Sequence, residues 1–224
     1  MGTPSNVTHR IDTATSMLSA TTTGDNFIKL NLEYKKRITY KLKGKGLDIR
    51  VFGGTFLDES ENSLYHYRME SGAGRWDYTY DEVLMGRGAT EGMFSQQVIE
   101  NDVFLKEPGT FANISQWTLA VNLKSDLPLK LPLGVYFDAF TFNGLQDLPN
   151  VEEGESFIYN GGIQIKVVPD FLEIYVPLLS SNMILEAQKL QGITDLNQRI
   201  TFKLNFNFMQ DKSMGDFFRL AQVG

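Results

Sequence analysis

Apolar and polar residues alternate one by one through most of this chain, and that rhythm leaves few folds open to it. Near the C-terminus, Ile200, Phe202, Leu204, Phe206 and Phe208 interleave with Thr201, Lys203, Asn205 and Asn207. Ile28, Leu30, Leu32 and Tyr34 alternate with Lys29, Asn31, Glu33 and Lys35; Leu119, Val121 and Leu123 alternate with Ala120, Asn122 and Lys124. Ile163, Ile165 and Val167, then Leu172, Ile174, Val176 and Leu178, keep the same beat. Successive side chains of an extended strand point to opposite faces, so such runs make strands with one apolar and one polar face. A helix would instead space its apolar residues three and four apart.

The pattern predicts eight to ten strands, near 25–41, 46–57, 62–70, 75–80, 92–98, 114–125, 133–143, 156–168, 170–178 and 197–209. Gly44–Lys45–Gly46 and Pro169–Asp170 read as tight turns between antiparallel neighbours. One short helix is expected at 181–190, with Ser181 or Asn182 as its cap and Gly192 as its stop. Residues 1–24, polar and Thr/Ser-rich, read as a flexible lead-in, 25–209 as the β domain and 210–224 as a C-terminal tail. The fold class is therefore all-β and largely antiparallel. The 16 Phe, 9 Tyr and 2 Trp support it, because aromatic residues fit the pleated surface of a sheet.

Several chemistries fall away. With no cysteine there is no disulfide scaffold, thiolate metal site or thiol nucleophile. Two histidines, His9 and His66, leave little for a metal centre, and no H-E-x-x-H pair exists to hold a catalytic zinc. The formal charge of −6 argues against a nucleic-acid partner. Gly72–Ala73–Gly74 and Gly86–Arg87–Gly88 are too short to cradle phosphates, and no G-K-[ST] follows them. No catalytic, cofactor-binding or metal-ligating set emerges, so the chain does not read as an enzyme.

Alternation alone leaves two architectures. In a soluble β-sandwich the apolar face packs on a second sheet and the polar face meets water. In a transmembrane β-barrel the apolar face meets lipid and the polar face lines the lumen. Charged groups on many polar faces (Lys29, Glu33, Arg50, Lys166 and Lys203) suit a hydrated lumen. Expected strands of about ten residues suit a tilted bilayer crossing, which takes roughly 9 to 11. Phe202, Phe206 and Phe208 form an aromatic comb suited to lipid contact. Against the barrel, a tail of 210–224 runs past the last strand.

Short motifs narrow the choice. Leu84–Met85–Gly86–Arg87–Gly88 is similar to the R-G-[F/Y] tip of a loop inserted into a barrel lumen. Gly134–Val135–Tyr136–Phe137–Asp138–Ala139–Phe140 is similar to an F-x-D-x-G strand motif. Gly161–Gly162–Ile163 through Leu172–Leu178 is similar to a penultimate hairpin, and Arg199–Phe208 to a closing strand. In this order, over residues 83–209, they resemble the C-terminal half of the barrel in the Omp85/bacterial surface antigen superfamily. From Lys29 onward, with Gly88, Phe94–Gln97 and Val121–Lys124 included, the chain resembles the C-terminal barrel-like region behind M1-type peptidase domains of Bacteroidota surface proteins. Ala89 stands where the superfamily has an aromatic, and Phe140 where it has glycine.

The resemblance implies an antiparallel transmembrane β-barrel of the Gram-negative outer membrane, or the C-terminal half of a 16-stranded one. Its partners would be outer-membrane lipid and other outer-membrane or surface proteins. Its roles would be anchoring, tethering a peptidase-like domain, or joining an assembly or translocation complex. It implies that Arg87 reaches into the lumen and pairs with Asp138, and that Ile200, Phe202, Leu204, Phe206 and Phe208 form the lipid-facing closing strand. An exported protein needs a leader, and the polar start of this chain holds none, so a fragment of a longer protein is expected. The alternative is a soluble β-sandwich serving as a binding or accessory module.

Other groups carry two readings each. His66, between Tyr65 and Tyr67, reads as a strand residue before it reads as a ligand. Glu152, Glu153 and Glu155, like Asp58, Glu59 and Glu61, read as solvated loop carboxylates before calcium ligands. Trp76 and Trp117 suit a membrane interface or a core equally. Lys35, Lys36, Arg37, Lys41, Lys43 and Lys45, around one hairpin, suit anionic headgroups or a solubilised turn.

Overall fold

The computed structural model describes residues 5–17, 24–42, 44–58, 67–70, 98–99, 103–108, 110–146, 156–168 and 171–204. Among them run ten strands: β1 (Ser5–Met17), β2 (Gly24–Thr39), β3 (Gly46–Asp58), β4 (Tyr67–Glu70), β5 (Val98–Ile99), β6 (Thr110–Asp126), β7 (Leu133–Gln146), β8 (Phe157–Val168), β9 (Leu172–Ser180) and β10 (Thr201–Leu204). Two helices, α1 (Asn182–Leu190) and α2 (Leu196–Arg199), lie between β9 and β10. No described helix is long and apolar enough to cross a membrane.

All ten strands join one sheet in the order β1-β2-β3-β6-β7-β8-β9-β10-β5, with β4 pairing β6 off this path. Every pairing is antiparallel except that of β5 with β10. Gly44, at φ 78, makes the turn between β2 and β3 in a conformation that side chains with a Cβ resist. A bulge at Gly161/Gly162 bends β8 against β9.

Two expectations change here. Residues 5–17, expected as part of a flexible lead-in over 1–24, form β1, paired with β2 along its whole length. Val7, His9 and Ile11 stand opposite Tyr34, Leu32 and Leu30. The Thr and Ser that hid this alternation hold an extended strand well, because β-branched and small polar residues fit beside an existing edge. The sheet is also open among the described residues: β1 and β5 are its ends, and no ladder joins them. On β10, the edge away from β9 is occupied in parallel by Val98 and Ile99 of β5.

The end of the chain differs in one further respect. The expected strand over 197–209 begins as a helical turn, α2, because Gln198 Oε1 accepts from the backbone N–H of Thr194 and Asp195 and closes the turn. α1 runs as expected and stops at Gly192, at φ 73, whose N–H bonds the Lys189 carbonyl.

The two faces of the sheet are opposite in character. Leu30, Leu32, Trp117, Leu119, Val135, Phe137, Phe157, Ile163 and Val167 stand exposed on one face. The other face is buried and tiered. At one end lie Phe52, Phe56, Ala120, Phe140, Phe142 and Ile158; a middle tier holds Asn122, Asp138 and Asn160; the far end holds Asp126, Gln164 and Glu173. The aromatic tier interrupts the fully polar lumen that alternation suggests, since Phe52, Phe140 and Phe142 sit at positions between outward apolar residues.

Candidate functional site: a charged segment buried on the inner face

Asn122, Asp138 and Asn160 are direct cross-strand partners on β6, β7 and β8, so three polar side chains line up across the inner face. Each is nearly or wholly inaccessible to solvent. Onto this tier folds the segment 103–108, Val103–Phe104–Leu105–Lys106–Glu107–Pro108, all of it buried. Burying a charged side chain is costly unless an opposite charge and hydrogen bonds meet it, and both charges of this segment are met.

Lys106 Nζ lies 2.7 Å from Asp138 Oδ1. Asn122 Nδ2 donates to the same carboxylate oxygen at 2.6 Å and to the Phe104 carbonyl at 2.5 Å. Thr201 Oγ1 donates to the Lys106 carbonyl at 2.7 Å. The ammonium also stands 5.7 Å from the ring centres of both Tyr136 and Tyr175, whose rings meet edge to face. Burial pulls the Lys106 pKa down to about 8, although the Asp138 carboxylate beside it pulls the other way.

The next residue is held as tightly from the opposite direction. Glu107 receives Arg199 Nη2 at 2.9 Å, Gln188 Nε2 at 2.9 Å and the Ser180 hydroxyl. Gln188 of α1 also donates to the Pro108 carbonyl at 2.9 Å. Two residues before Lys106, Phe104 packs on Phe52 with 4.8 Å between ring centres and lies under the Arg50 guanidinium at 3.9 Å. These two adjacent residues of opposite charge reach different elements, Lys106 to β7 and Glu107 to α1 and α2.

The tier retains polar capacity that the described residues do not use. Asp138 Oδ2, Asn122 Oδ1 and both amide atoms of Asn160 are buried with no hydrogen-bond partner among the described residues. Such groups are costly and call for a partner.

Of the residues marked in the sequence, Asp138 occupies the centre of the site, paired there with Lys106 and Asn122. Arg87 lies outside the described residues, as do Phe206, Phe208, His66, Trp76, Glu59, Glu61, Glu152, Glu153 and Glu155. Phe202 and Leu204 pair with Ile174 and Leu172, on the face opposite the buried Thr201; Ile200 precedes β10. Trp117 is exposed on the outer face. Around the β2–β3 hairpin, Arg37 meets Asp48 at 2.9 Å, and Arg50 meets Glu33 at 2.5 Å. Among the described residues, no three His, Cys, Asp or Glu side chains converge as a metal site.

The buried segment is what the sequence reading missed. Its one signal is a charged pair, Lys106–Glu107, directly between an apolar triplet and a proline, a composition unlike the solvated loops elsewhere. Comparison of the chain with protein-family models, with curated proteins and with solved structures finds no significant match.

Proposed function

We propose that this chain is an integral outer-membrane β-barrel protein or a segment of one, which anchors in the membrane through the outer face of its sheet. The observation that carries the reading is the sidedness of the sheet: large apolar side chains exposed on one face, and ion pairs and amides buried beside an aromatic tier on the other. A soluble sheet places its apolar face inward, whereas a membrane barrel turns it to lipid and keeps charge inside. Strand length agrees, with 17 residues in β6, 16 in β2 and 14 in β7, where soluble strands run to about five or six. In this reading the segment 103–108 is an internal plug, the Lys106 and Glu107 ion pairs hold it, and the chain anchors surface or assembly proteins at the outer membrane rather than performing catalysis.

The same reading gives Arg87 a place. A guanidinium carries five N–H donors, and the acceptors Asp138 Oδ2, Asn122 Oδ1 and Asn160 Oδ1 form a buried row with no donor on them among the described residues. The loop tip around Arg87 would close that row from the lumen side, with Lys106 keeping Oδ1 of the shared carboxylate.

The open sheet favours a second reading, a soluble β module whose apolar face docks on another domain. One experiment separates the two. Residues 1–224 are purified with and without detergent and compared by circular dichroism and by gel mobility before and after heating. A β-rich form that requires detergent and shifts on heating is expected. A monodisperse β-rich protein in plain buffer overturns the membrane reading.

A further inference from the structure

Beside the buried segment, the ionic end of the inner face encloses a cavity of about 280 Å³. Its walls bring together Lys35, Lys36 and Arg37 of β2, Arg50 of β3, Lys106, Lys124 of β6 and Lys203 of β10, with Asp48 as the one carboxylate of the lining. Glu33, Asp138 and Glu173 stand behind it, in contact with Arg50, Lys106 and Lys203 respectively. Asp126, in contact with Arg37, is a fifth acid, and seven cations against five acids leave two positive charges in excess, inside a chain whose overall charge is −6. Lys124 makes no direct hydrogen bond or ion pair among the described residues, although it sits between Asp48 and Tyr136 in the ladder.

Like charges gathered in a partly dry cavity repel one another, and a fold gains no stability by converging them. From this convergence we infer that the cavity is a binding site for a small phosphate-class anion. The space matches about nine waters at roughly 30 Å³ each, enough for a diphosphate or a compact phosphorylated molecule. Ile99, Val103 and Tyr175 give it one apolar wall for a carbon moiety. Lys35 and Arg37 are about 40% exposed and form an entrance from solvent, while the deeper Lys106 and Lys203 are largely covered. Lys36 and Ile49, at positions of the opposite face of β2 and β3, also line the cavity, and the anion inferred is a diffusible one, which the test separates from a lipid headgroup. The inference goes beyond the membrane reading and holds whether the outer face meets lipid or protein.

Isothermal titration of the full chain with inorganic pyrophosphate tests it, in whichever medium the chain folds. Saturable, salt-sensitive binding is expected. Lys124→Gln, which breaks no ion pair, should weaken binding at least tenfold while leaving the circular dichroism unchanged, and Lys35→Gln at the entrance should weaken it severalfold. Lys130→Gln, in the exposed turn after β6, removes the same charge outside the cavity and should change affinity less than twofold. Absence of saturable binding, or equal losses from Lys124→Gln and Lys130→Gln, overturns the site. Binding only to phosphatidylglycerol-containing vesicles, with none to pyrophosphate, overturns the choice of a diffusible anion.

Discussion

Removing the charge of Asp138 or Lys106 singly and together would measure what holds the buried segment in place. At 2.7 Å, and with an effective dielectric constant of about 20, the attraction is on the order of 6 kcal/mol before desolvation. Both ions have lost nearly all contact with water, and that penalty offsets most of the gain. The net value of the pair is therefore small, but the cost of breaking it is large. Lys106→Met leaves a buried carboxylate with one amide donor and an unpartnered Oδ2, and should cost about 3 to 5 kcal/mol. Asp138→Asn leaves an ammonium that still faces the Tyr136 and Tyr175 rings, worth up to about 2 kcal/mol when desolvated, so its loss should be smaller, roughly 2 to 4 kcal/mol.

The double variant has no uncompensated charge and should lose only about 1 to 2 kcal/mol, which makes the coupling roughly 3 to 8 kcal/mol. Urea unfolding of the refolded chain, followed by circular dichroism, reads the equilibrium term. Chymotrypsin supplies a local readout, because Phe104, unchanged in all three variants, is buried at 1% exposure and its peptide bond is shielded while the segment stays docked. Cleavage after Phe104 should accelerate in each single variant and return toward the wild-type rate in the double. Losses that add to within about 0.5 kcal/mol would refute the argument that the two charges stabilise one another.

Four further outcomes follow from the same geometry. Leu119→Arg on the exposed face should cost about 2 to 4 kcal/mol if lipid covers it at mid-depth, and within about 0.5 kcal/mol if water does, by unfolding in vesicles. Arg87→Ala and Asp138→Asn should couple by more than about 1 kcal/mol if the loop tip meets Oδ2, and add independently if it does not. Lys106 loses its proton as pH rises through about 8, so the cavity loses one positive charge; affinity for sulfate, whose own charge is constant there, should fall between pH 7 and 9, and calorimetry of Lys106→Gln should show a flatter profile. The groups facing Lys106 from its neighbours are Asp138, Tyr136, Tyr175, Arg50 and Lys124. Gly162→Ala should destabilise by about 2 kcal/mol or more in thermal melts, because a Cβ there would stand 2.0 Å from the Val176 carbonyl oxygen.

Much of the sheet is legible in the sequence because the side-chain period of a strand is fixed at two. Leu119, Val121 and Leu123 announce β6, Ile163 to Val167 announce β8, and the Gly192 stop announces the end of α1. β1 is not legible in this way, because threonine and serine are compatible with strand and loop alike and only the ladder with β2 decides. The partner of Asp138 is hidden for a different reason. Lys106 is 32 residues away, in a stretch without periodicity, and nothing local says that its charge is buried. Asn122 and Asn160 are foreseeable as polar-face residues, but their alignment beside Asp138 depends on register, which a single residue of slip would undo.

Strand length bears on what covers the outer face. A monomer in water seldom exposes a contiguous apolar patch of more than a few hundred Å², and this sheet exposes large apolar residues on β2, β6, β7 and β8 together. In the readings proposed above, a lipid bilayer or a second protein surface covers them. The 17 residues of β6, at roughly 3.4 Å each, span about 58 Å, which a tilt near 45° reduces to about 40 Å. The 14 residues of β7 reduce in the same way to about 34 Å. These values fall between the hydrocarbon core, about 30 Å, and the full bilayer with its headgroups, about 40 to 45 Å. A protein partner sets no common thickness and would leave neighbouring strands free to differ. In the membrane reading proposed above, Leu119, near the middle of β6, is the position where an introduced arginine should cost most.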